Sequence, residues 1–277
     1  MNVKRLKLET TRENLLARFI DLLVPIGQGQ AGLISGPRHT GQKLILEAIA
    51  YSVAVNHPEV IVMMLLLDQN DDEAAAGKRS LQAEVFVSTP EELEPHHIHL
   101  AENVMAKAKC LAEEKRDVLV LIDSLTRLAQ AYHEVLPLPN KTGVHALNPY
   151  AVRQVRRIFE ATGVHDAGGS LTMMAIAGVE TRTPAEGMLL EEIERIVAIQ
   201  VVLESKVLEQ GIYPAVNLHR SRNKGEEIVM DPADMARIHV LRKVLAPLSP
   251  VEAAKLLGSK LLITPSNSQF LSNMSSI

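Results

Sequence analysis

The sequence predicts an α/β protein in which helices cover both faces of a mostly parallel β-sheet. Two apolar runs of strand length, VIVMMLLLD (60–68) and DVLVLIDS (117–124), are flanked by segments with helical periodicity, and GSLTMMAIAGVE (169–180) has a similar character. Near-continuous apolar strands separated by helices are typical of a parallel sheet that is buried on both sides. With 277 residues, 47% of them hydrophobic, the chain is long enough to bury such a core as one domain.

The chain is predicted to consist of three parts. Residues 1–24 are expected to form an N-terminal helical segment, residues 25–231 the α/β domain, and residues 232–277 a short C-terminal helical segment with a tail. Two helices are expected in the last part, separated at Pro247–Pro250, because proline interrupts a helix interior. The Ser- and Asn-rich end of the chain is expected to fray.

Composition narrows the possible functions. The 29 basic and 33 acidic residues give a net charge of −4, so the chain as a whole lacks the positive excess that nonspecific nucleic-acid binding requires. Only 3% of residues are aromatic, which leaves little material for stacking single-stranded RNA bases. No apolar stretch reaches membrane-spanning length, and we expect a cytoplasmic protein without membrane contact. Cys110 is predicted to be a small buried hydrophobe, since a lone thiol forms neither an intrachain disulfide nor a multi-cysteine metal site.

A glycine-containing loop follows the short apolar run AGLIS (31–35) and precedes an apolar helix. A phosphate-binding loop reads GxxxxGK[ST] in this context: backbone amides hold the phosphate, Lys reaches its terminal groups, and Ser or Thr binds magnesium. Here Gln42 stands where Lys is required and Lys43 where the hydroxyl is required, about 100° further round the helix. An ordinary glycine turn is the alternative. The candidate nucleotide-binding residues of this loop are Gly36, Arg38, His39, Thr40, Gly41, Gln42, Lys43 and Leu44.

Several segments together resemble the motor domain of the bacterial transcription termination factor Rho. PIGQGQAGLISGPRHTGQKLIL is similar to the Rho segment that leads into its P-loop, and DVLVLIDSLTRLAQAY is similar to its Walker B motif. GGSLTMMAIA, IYPAVNLHRS and LRKVLAPLSPVEAAKLL follow in the Rho order, so the resemblance covers about residues 18–265. It implies a RecA-type P-loop NTPase fold, ATP with magnesium as ligand, and subunits that assemble into a hexameric ring around RNA. We expect no counterpart in this sequence of the RNA-binding domain that precedes the motor in Rho.

The resemblance assigns roles to three further residues. It implies that Asp123 occupies the Walker B position beside magnesium, that Arg220 is an arginine finger acting on a neighbouring subunit's nucleotide, and that Tyr213 packs on adenine. Each has an ordinary structural alternative. Asp123 is also a suitable helix N-cap, Arg220 a surface arginine paired with Glu226 or Glu227, and Tyr213 a half-buried strand tyrosine.

The sequence departs from the Rho pattern at catalytic and RNA-contacting positions. Gln69 replaces the glutamate that polarises the attacking water, and an amide cannot accept a proton from water. Loss of the P-loop lysine at Gln42 removes stabilisation of charge that builds during phosphoryl transfer. The basic pore loop of Rho is matched by residues 194–197, which begin with Glu194. The run EPHHIHL (94–100) contains three histidines, but His96 and His97 point in different directions on a helix or a strand, which disfavours a zinc site.

These observations predict a non-hydrolysing, Rho-like pseudo-ATPase. It is expected to bind ATP and magnesium weakly or not at all, and to associate as a homo-oligomer or with Rho-like rings. The alternative is an active ATP-dependent RNA translocase or helicase that uses a divergent P-loop with Lys43. An RNA-binding module without ATPase activity ranks third, because aromatic residues are few and the net charge is negative.

Overall fold

A computed structural model describes residues 3–69, 82–136, 147–166, 168–178 and 184–274 of the chain. The strands in these ranges are β1 (Arg5–Leu6), β2 (Ile26–Gly27), β3 (Ala31–Gly36), β4 (Ile61–Leu66), β5 (Glu84–Val87), β6 (Asp117–Asp123), β7 (Gly163–Val164), β8 (Ser170–Gly178), β9 (Ile199–Val202) and β10 (Arg222–Asn223). The helices are α1 (Leu15–Leu23), α2 (Gln42–Asn56), α3 (Glu94–Glu113), α4 (Leu125–Val135), α5 (Pro149–Phe159), α6 (Pro184–Ile196), α7 (Ser205–Leu208), α8 (Pro232–Leu245), α9 (Pro250–Ile263) and α10 (Asn267–Met274).

The main sheet is mostly parallel, as the sequence predicts. Its strand order is β10-β9-β3-β8-β6-β4-β5, with β7 paired to β8. The pairs β10–β9 and β7–β8 are antiparallel, and the other pairs of the sheet are parallel. Gly36 of β3 lies opposite Gly178 of β8, and Leu66 of β4 lies opposite Asp123 of β6. The carboxyl ends of four strands therefore meet at one edge, where open α/β sheets usually bind ligands.

Two hydrophobic cores lie on the two faces of this sheet. Alternate residues of a strand point to opposite faces, and β8 shows this directly. Met173 and Ala175 pack in the core formed with α3, α4, α5 and α6, whereas Met174 and Ile176 pack in the core formed with α1, α2, α8, α9 and α10. Helices thus cover both faces, which is the predicted architecture.

The N-terminal segment is less helical than predicted. Helix α1 is confined to Leu15–Leu23 and begins at Asn14, whose side chain accepts a hydrogen bond from Ala17 N at 3.2 Å. The expectation of a helix over residues 1–24 is therefore wrong for residues 3–14. Arg5–Leu6 instead pairs as a strand with β2, and Leu6 and Leu8 are fully buried.

The C-terminal segment contains the two predicted helices, α8 and α9, with the break between Leu245 and Pro250. Ser249 caps α9 through a capping box with Glu252, which fixes where the second helix begins. The predicted fraying of the tail is wrong for residues 267–274, which form α10. Phe270 and Leu271 of α10 are buried in the same core as α1, and this burial holds the helix in place.

A fully buried arginine joins the two ends of the chain. Arg18 of α1 donates Nη1 to the carbonyl oxygens of Leu261 and Thr264, both at 2.8 Å, and Nε to Asn267 Oδ1 at 3.2 Å. Its Nε also lies 3.4 Å from Glu9 Oε1. The terminal helices are therefore fastened to each other by hydrogen bonds as well as by apolar packing.

The structure corrects the prediction for Cys110. Its side chain is exposed on α3, with Sγ 3.7 Å from Glu114 Oε1. The buried face of α3 is formed by residues such as Ala101, Ala108 and Ala112, and Cys110 lies off that face. Across the described residues, no helix is both long and apolar enough to span a membrane.

Candidate functional site

A cavity of about 310 Å³ opens at the carboxyl edge of the sheet, between the loop after β3 and the ends of β4 and β6. It contains both cationic and anionic side chains. The lining residues are Arg38, His39, Gln42, Lys43, Leu67, Asp68, Gln69, Asp123, Ser124, Thr126, Arg127, Gln130, Ile176 and Gly178. The sequence-predicted residues Gln42, Lys43, Gln69 and Asp123 are thus brought together.

The loop has the backbone geometry that its glycines predict. Gly41 is the N-cap of α2 with φ 106°, a conformation that favours glycine. A Cβ on Gly41 would also lie 2.7 Å from Pro214 Cβ, so a larger residue would clash. Thr40 is buried, with its hydroxyl donating to Pro37 O at 2.6 Å. Residues Gly36 to Gly41 therefore form a compact turn at the N-terminus of a 15-residue helix.

Gln42 turns back onto the loop. Its side chain is buried, and Nε2 donates to Gly36 O at 3.0 Å and also to Pro37 O. The amide therefore satisfies loop carbonyls from within the turn. A neutral group occupies the position where the P-loop pattern places an ammonium.

Lys43 extends into the cavity despite its displaced position on the helix. Its Nζ donates to Gln69 Oε1 at 3.2 Å. Lys43, at the hydroxyl position of the P-loop pattern, is thus bonded to Gln69, which the Rho resemblance matches to the water-activating glutamate. Leu44, the next candidate, is exposed on α2 and is not part of the cavity lining that the structure describes.

Asp123 ends β6 and lines the cavity, but it is not the cap of the helix that follows. Ser124 is the N-cap of α4, with Oγ accepting a hydrogen bond from Arg127 N at 3.3 Å. The alternative of Asp123 as N-cap is therefore wrong. Its main-chain oxygen accepts from Leu67 N at 2.7 Å, which ties the ends of β4 and β6 together.

Arg127 is a cavity residue that sequence reasoning missed. It makes a two-pronged bond to Glu94 on α3, at 2.7 and 2.9 Å, and its Nε lies 3.3 Å from Asp68 Oδ2. The Arg127 hydrogen bonds hold the pKa of Glu94 below its ordinary value, and those same bonds raise the pKa of Arg127. Its position in the first turn of α4, directly after the strand that ends in Asp123, is the feature of the sequence that could have identified it.

The three neighbouring histidines do not converge. His97 is buried with Nδ1 2.7 Å from Ser88 Oγ, and burial lowers its pKa, with a further contribution from Arg127. His96 instead lies 3.2 Å from Glu92. Among the described residues, no three His, Cys, Asp or Glu side chains are grouped so as to hold a metal ion.

Tyr213 lies beside the turn formed by residues Gly36 to Gly41, and it is about half exposed, at 54%. The cavity lining described above does not include it, but its Cε2 would be 3.3 Å from a Cβ on Gly41. Its ring therefore borders the loop and is partly exposed, a position in which an aromatic base could stack.

Arg220 is exposed and stands outside the described lining of its own subunit's cavity. Its main-chain N–H donates to Asn217 Oδ1 at 3.1 Å, which fixes the turn that presents it. Glu226, considered as its partner, is instead bonded to Arg242 and His239. Nearby, Lys224 Nζ donates to Glu194 O at 2.6 Å and so binds the C-terminal end of α6.

Residues 194–196, matched above to a basic pore loop, end helix α6, and Arg195 there pairs with Glu192 at 2.7 Å. The cluster Arg153, Arg156 and Arg157 is exposed on α5, and Arg156 lies 3.7 Å from Glu192. Part of the basic charge on this surface is thus neutralised by α6.

Two curated relatives match nearly the whole chain. The transcription termination factor Rho of Allochromatium vinosum is 38% identical over 98% of this chain and 66% of that protein. The transcription termination factor Rho of Cereibacter sphaeroides is 37% identical over 98% of this chain and 65% of that protein. The chain therefore spans about two thirds of the length of these relatives.

Solved structures show the same fold at low sequence identity. An ATPase from the type III secretion system of pathogenic bacteria superposes with a TM-score of 0.79 and 17% identity, over 94% of this chain and 82% of that one. The ATP synthase subunit NeqB from Nanoarcheaum equitans superposes with a TM-score of 0.78 and 20% identity, over 93% and 73% respectively. The RecA-type P-loop fold implied by the resemblance is thereby confirmed.

The family model "ATP synthase alpha/beta family, nucleotide-binding domain" matches residues 17–222, the part of the chain that carries the loop, the Walker B strand and the Arg220 turn. This chain belongs to that family, as a homologue of the motor domain of termination factor Rho.

Proposed function

We propose that this chain is a Rho-like motor subunit that does not hydrolyse ATP and binds nucleotide weakly. The observation that carries the proposal is the state of Gln42. Its side chain is buried and bonded to carbonyls of its own loop, at the position where an active P-loop holds a mobile cation.

A second replacement in the same cavity acts in the same direction. Hydrolysis requires a group that orients or deprotonates the attacking water, and Gln69 supplies an amide that is engaged by Lys43 at 3.2 Å. Phosphoryl transfer also depends on fixed positive charge at the developing transition state. Because Gln69 is no base and Gln42 leaves the P-loop lysine position without a cation, we expect turnover at the background level.

The backbone of the loop supports retained, weak nucleotide binding. The turn at Gly41 and the N-terminus of α2 are suited to an anionic phosphate. Tyr213 beside the loop offers a face for the base. These features require no side-chain charge at Gln42, so they persist when catalysis is lost.

An active enzyme with a divergent P-loop is the second candidate, and the reach of Lys43 into the cavity favours it. An ATPase assay on the purified chain, with magnesium and poly-pyrimidine RNA, separates the two. We expect phosphate release no faster than that of buffer. Turnover that disappears in Asp123→Ala would instead establish the active enzyme.

Assembly is proposed from the exposed Arg220. An arginine finger works on the nucleotide of a neighbouring subunit, and the Rho resemblance implies such a ring. Light scattering after size-exclusion chromatography is expected to show self-association. If the chain instead joins a ring of active Rho subunits, mixing the two is expected to inhibit the activity of that ring. A monomer that leaves the active ring unaffected would remove this part of the proposal.

Tight RNA binding is not part of the proposed function. Tight RNA binding requires several basic side chains that are available to phosphates, together with aromatic rings that stack on bases. Arg156 and Arg195 instead contact acidic residues of α6. Sub-micromolar binding of poly-pyrimidine RNA that is lost on replacing Arg153, Arg156 and Arg157 would contradict this expectation.

A further inference from the structure

The cavity residues fit a magnesium ion poorly. Magnesium requires near-octahedral oxygen ligands. Where the P-loop pattern has a Ser or Thr hydroxyl as a magnesium ligand, this chain has Lys43, which offers no oxygen. The two hydroxyls that line the cavity have other roles. Ser124 Oγ caps α4, and Thr126 Oγ1 donates to Gly178 O at 3.1 Å.

The carboxylates of the cavity do not compensate for this loss. Asp68 lies 3.3 Å from Arg127 Nε, which leaves Asp123 as the strand-end carboxylate at the metal position. The Lys43 ammonium enters the same cavity, since it bonds Gln69 in the segment that follows β4. A fixed positive charge at that place repels a divalent cation.

We propose that the cavity binds a nucleoside polyphosphate without a divalent metal, and that the Lys43 ammonium supplies the positive charge that magnesium supplies in a P-loop of ordinary sequence. The proposal rests on the nucleotide binding proposed above and specifies its ligand form. In this arrangement the phosphates lie against the loop amides, with Lys43 on the strand side and Arg38 at the exposed tip of the loop.

The sign of the magnesium effect follows from charge. Metal-free ATP carries two more negative charges than its magnesium complex, so a site with built-in ammonium and guanidinium groups attracts the free form more strongly. Added magnesium removes free ATP from solution and is repelled by Lys43. Magnesium is therefore expected to weaken the apparent affinity, the reverse of its effect on a metal-dependent site.

The test is a titration of the whole chain with N-methylanthraniloyl-ATP, followed by fluorescence, in excess EDTA and in excess magnesium chloride. We expect tighter binding in EDTA than in magnesium. Lys43→Thr is expected to weaken binding in EDTA by about tenfold or more, because a charge-assisted hydrogen bond is lost. The same variant regains a hydroxyl at the metal-ligand position, so its residual binding is expected to improve with magnesium.

Lys109→Thr is the matched control, since Lys109 is exposed on α3 and its Nζ pairs with Glu113 at 3.8 Å, outside the cavity. It is expected to leave the titration unchanged. Should Lys43→Thr fail to fold by circular dichroism, Lys43→Gln, which keeps a hydrogen-bond donor without the charge, replaces it.

The outcomes separate this inference from the function on which it rests. Binding by the unaltered chain that is as tight in magnesium as in EDTA, or tighter, overturns the inference and leaves a nucleotide-binding, non-hydrolysing subunit intact. Absence of binding in both buffers overturns the inference together with the proposed nucleotide binding. An equal loss in Lys43→Thr and Lys109→Thr removes the role assigned to Lys43.

Discussion

Replacing Arg127 by methionine tests whether the cavity wall depends on its ion-pair network. Arg127 is the only one of the three partners that is largely buried, with a side chain 15% exposed against 34% for Glu94 and 39% for Asp68. An exposed ion pair contributes at most about 1 kcal/mol. Breaking a fully buried pair costs about 3–5 kcal/mol. For this intermediate burial with two-pronged geometry, we expect Arg127→Met to lower the free energy of unfolding by about 2 kcal/mol at neutral pH.

The effect should also depend on pH with a defined sign. Because Arg127 holds the pKa of Glu94 below its ordinary value, the carboxylate contributes stability above its unfolded pKa of about 4.3, and this contribution is lost as pH falls through the lower folded pKa. The stability difference between the unaltered chain and Arg127→Met should therefore shrink on acidification below about pH 4.

Urea denaturation followed by circular dichroism, at neutral pH and at several acidic pH values, measures both quantities. Arg237→Met is the matched control. Arg237 pairs with Asp234 within the exposed surface of α8, where a loss below about 1 kcal/mol is expected. A neutral-pH loss for Arg127→Met no larger than that of the control, or a difference that does not change with pH, would refute the reasoning.

Three further predictions concern the fold and the site. Arg18→Met should lower the free energy of unfolding by about 3–5 kcal/mol in urea denaturation, because it leaves buried carbonyls and Glu9 without their donor; a loss below about 1 kcal/mol would contradict this. Tyr213→Ala should weaken N-methylanthraniloyl-ATP binding about tenfold, since a stacking contact contributes roughly 1–3 kcal/mol, while Tyr213→Phe should retain it; equal affinities for the two variants would argue against stacking. The triple variant Gln42→Lys, Lys43→Thr, Gln69→Glu should gain phosphate release that none of its single changes shows. Phosphate release by one of the single variants would contradict the view that several replacements act together.

The sheet was predictable because its strands are apolar on both faces. The apolar runs at 60–68 and 117–124 predict β4 and β6 without any knowledge of contacts between distant residues. The N-terminal segment was not predictable in the same way. Leu6 and Leu8 form part of a strand and its continuation because Ile26–Gly27 offers a pairing partner, which local periodicity does not reveal.

The candidate site was predictable in its positions and less so in its contacts. The motif spacing identified Gln42, Lys43 and Asp123, and all three line the cavity. The network of Arg127 was missed because Glu94 lies 33 residues away on another helix, and the spacing of the motif carries no information about that approach. The inward reach of Lys43 depends on how a long flexible side chain bends, which helix geometry alone does not determine.

The retained glycines of the loop indicate ancestry more than activity, because the fold itself requires them. A Cβ on Gly36 would lie 2.8 Å from Leu203 Cβ, and a Cβ on Gly41 would meet Pro214, so both positions are restricted whether or not phosphate is transferred. The side chains that follow the turn are engaged in hydrogen bonds of their own: Gln42 donates to Gly36 O, and Gln69 accepts from the Lys43 ammonium. Packing therefore restricts these two glycine positions whatever chemistry the cavity performs. It follows that the charged and amide side chains of this cavity, rather than its glycines, carry the information about whether ATP is hydrolysed.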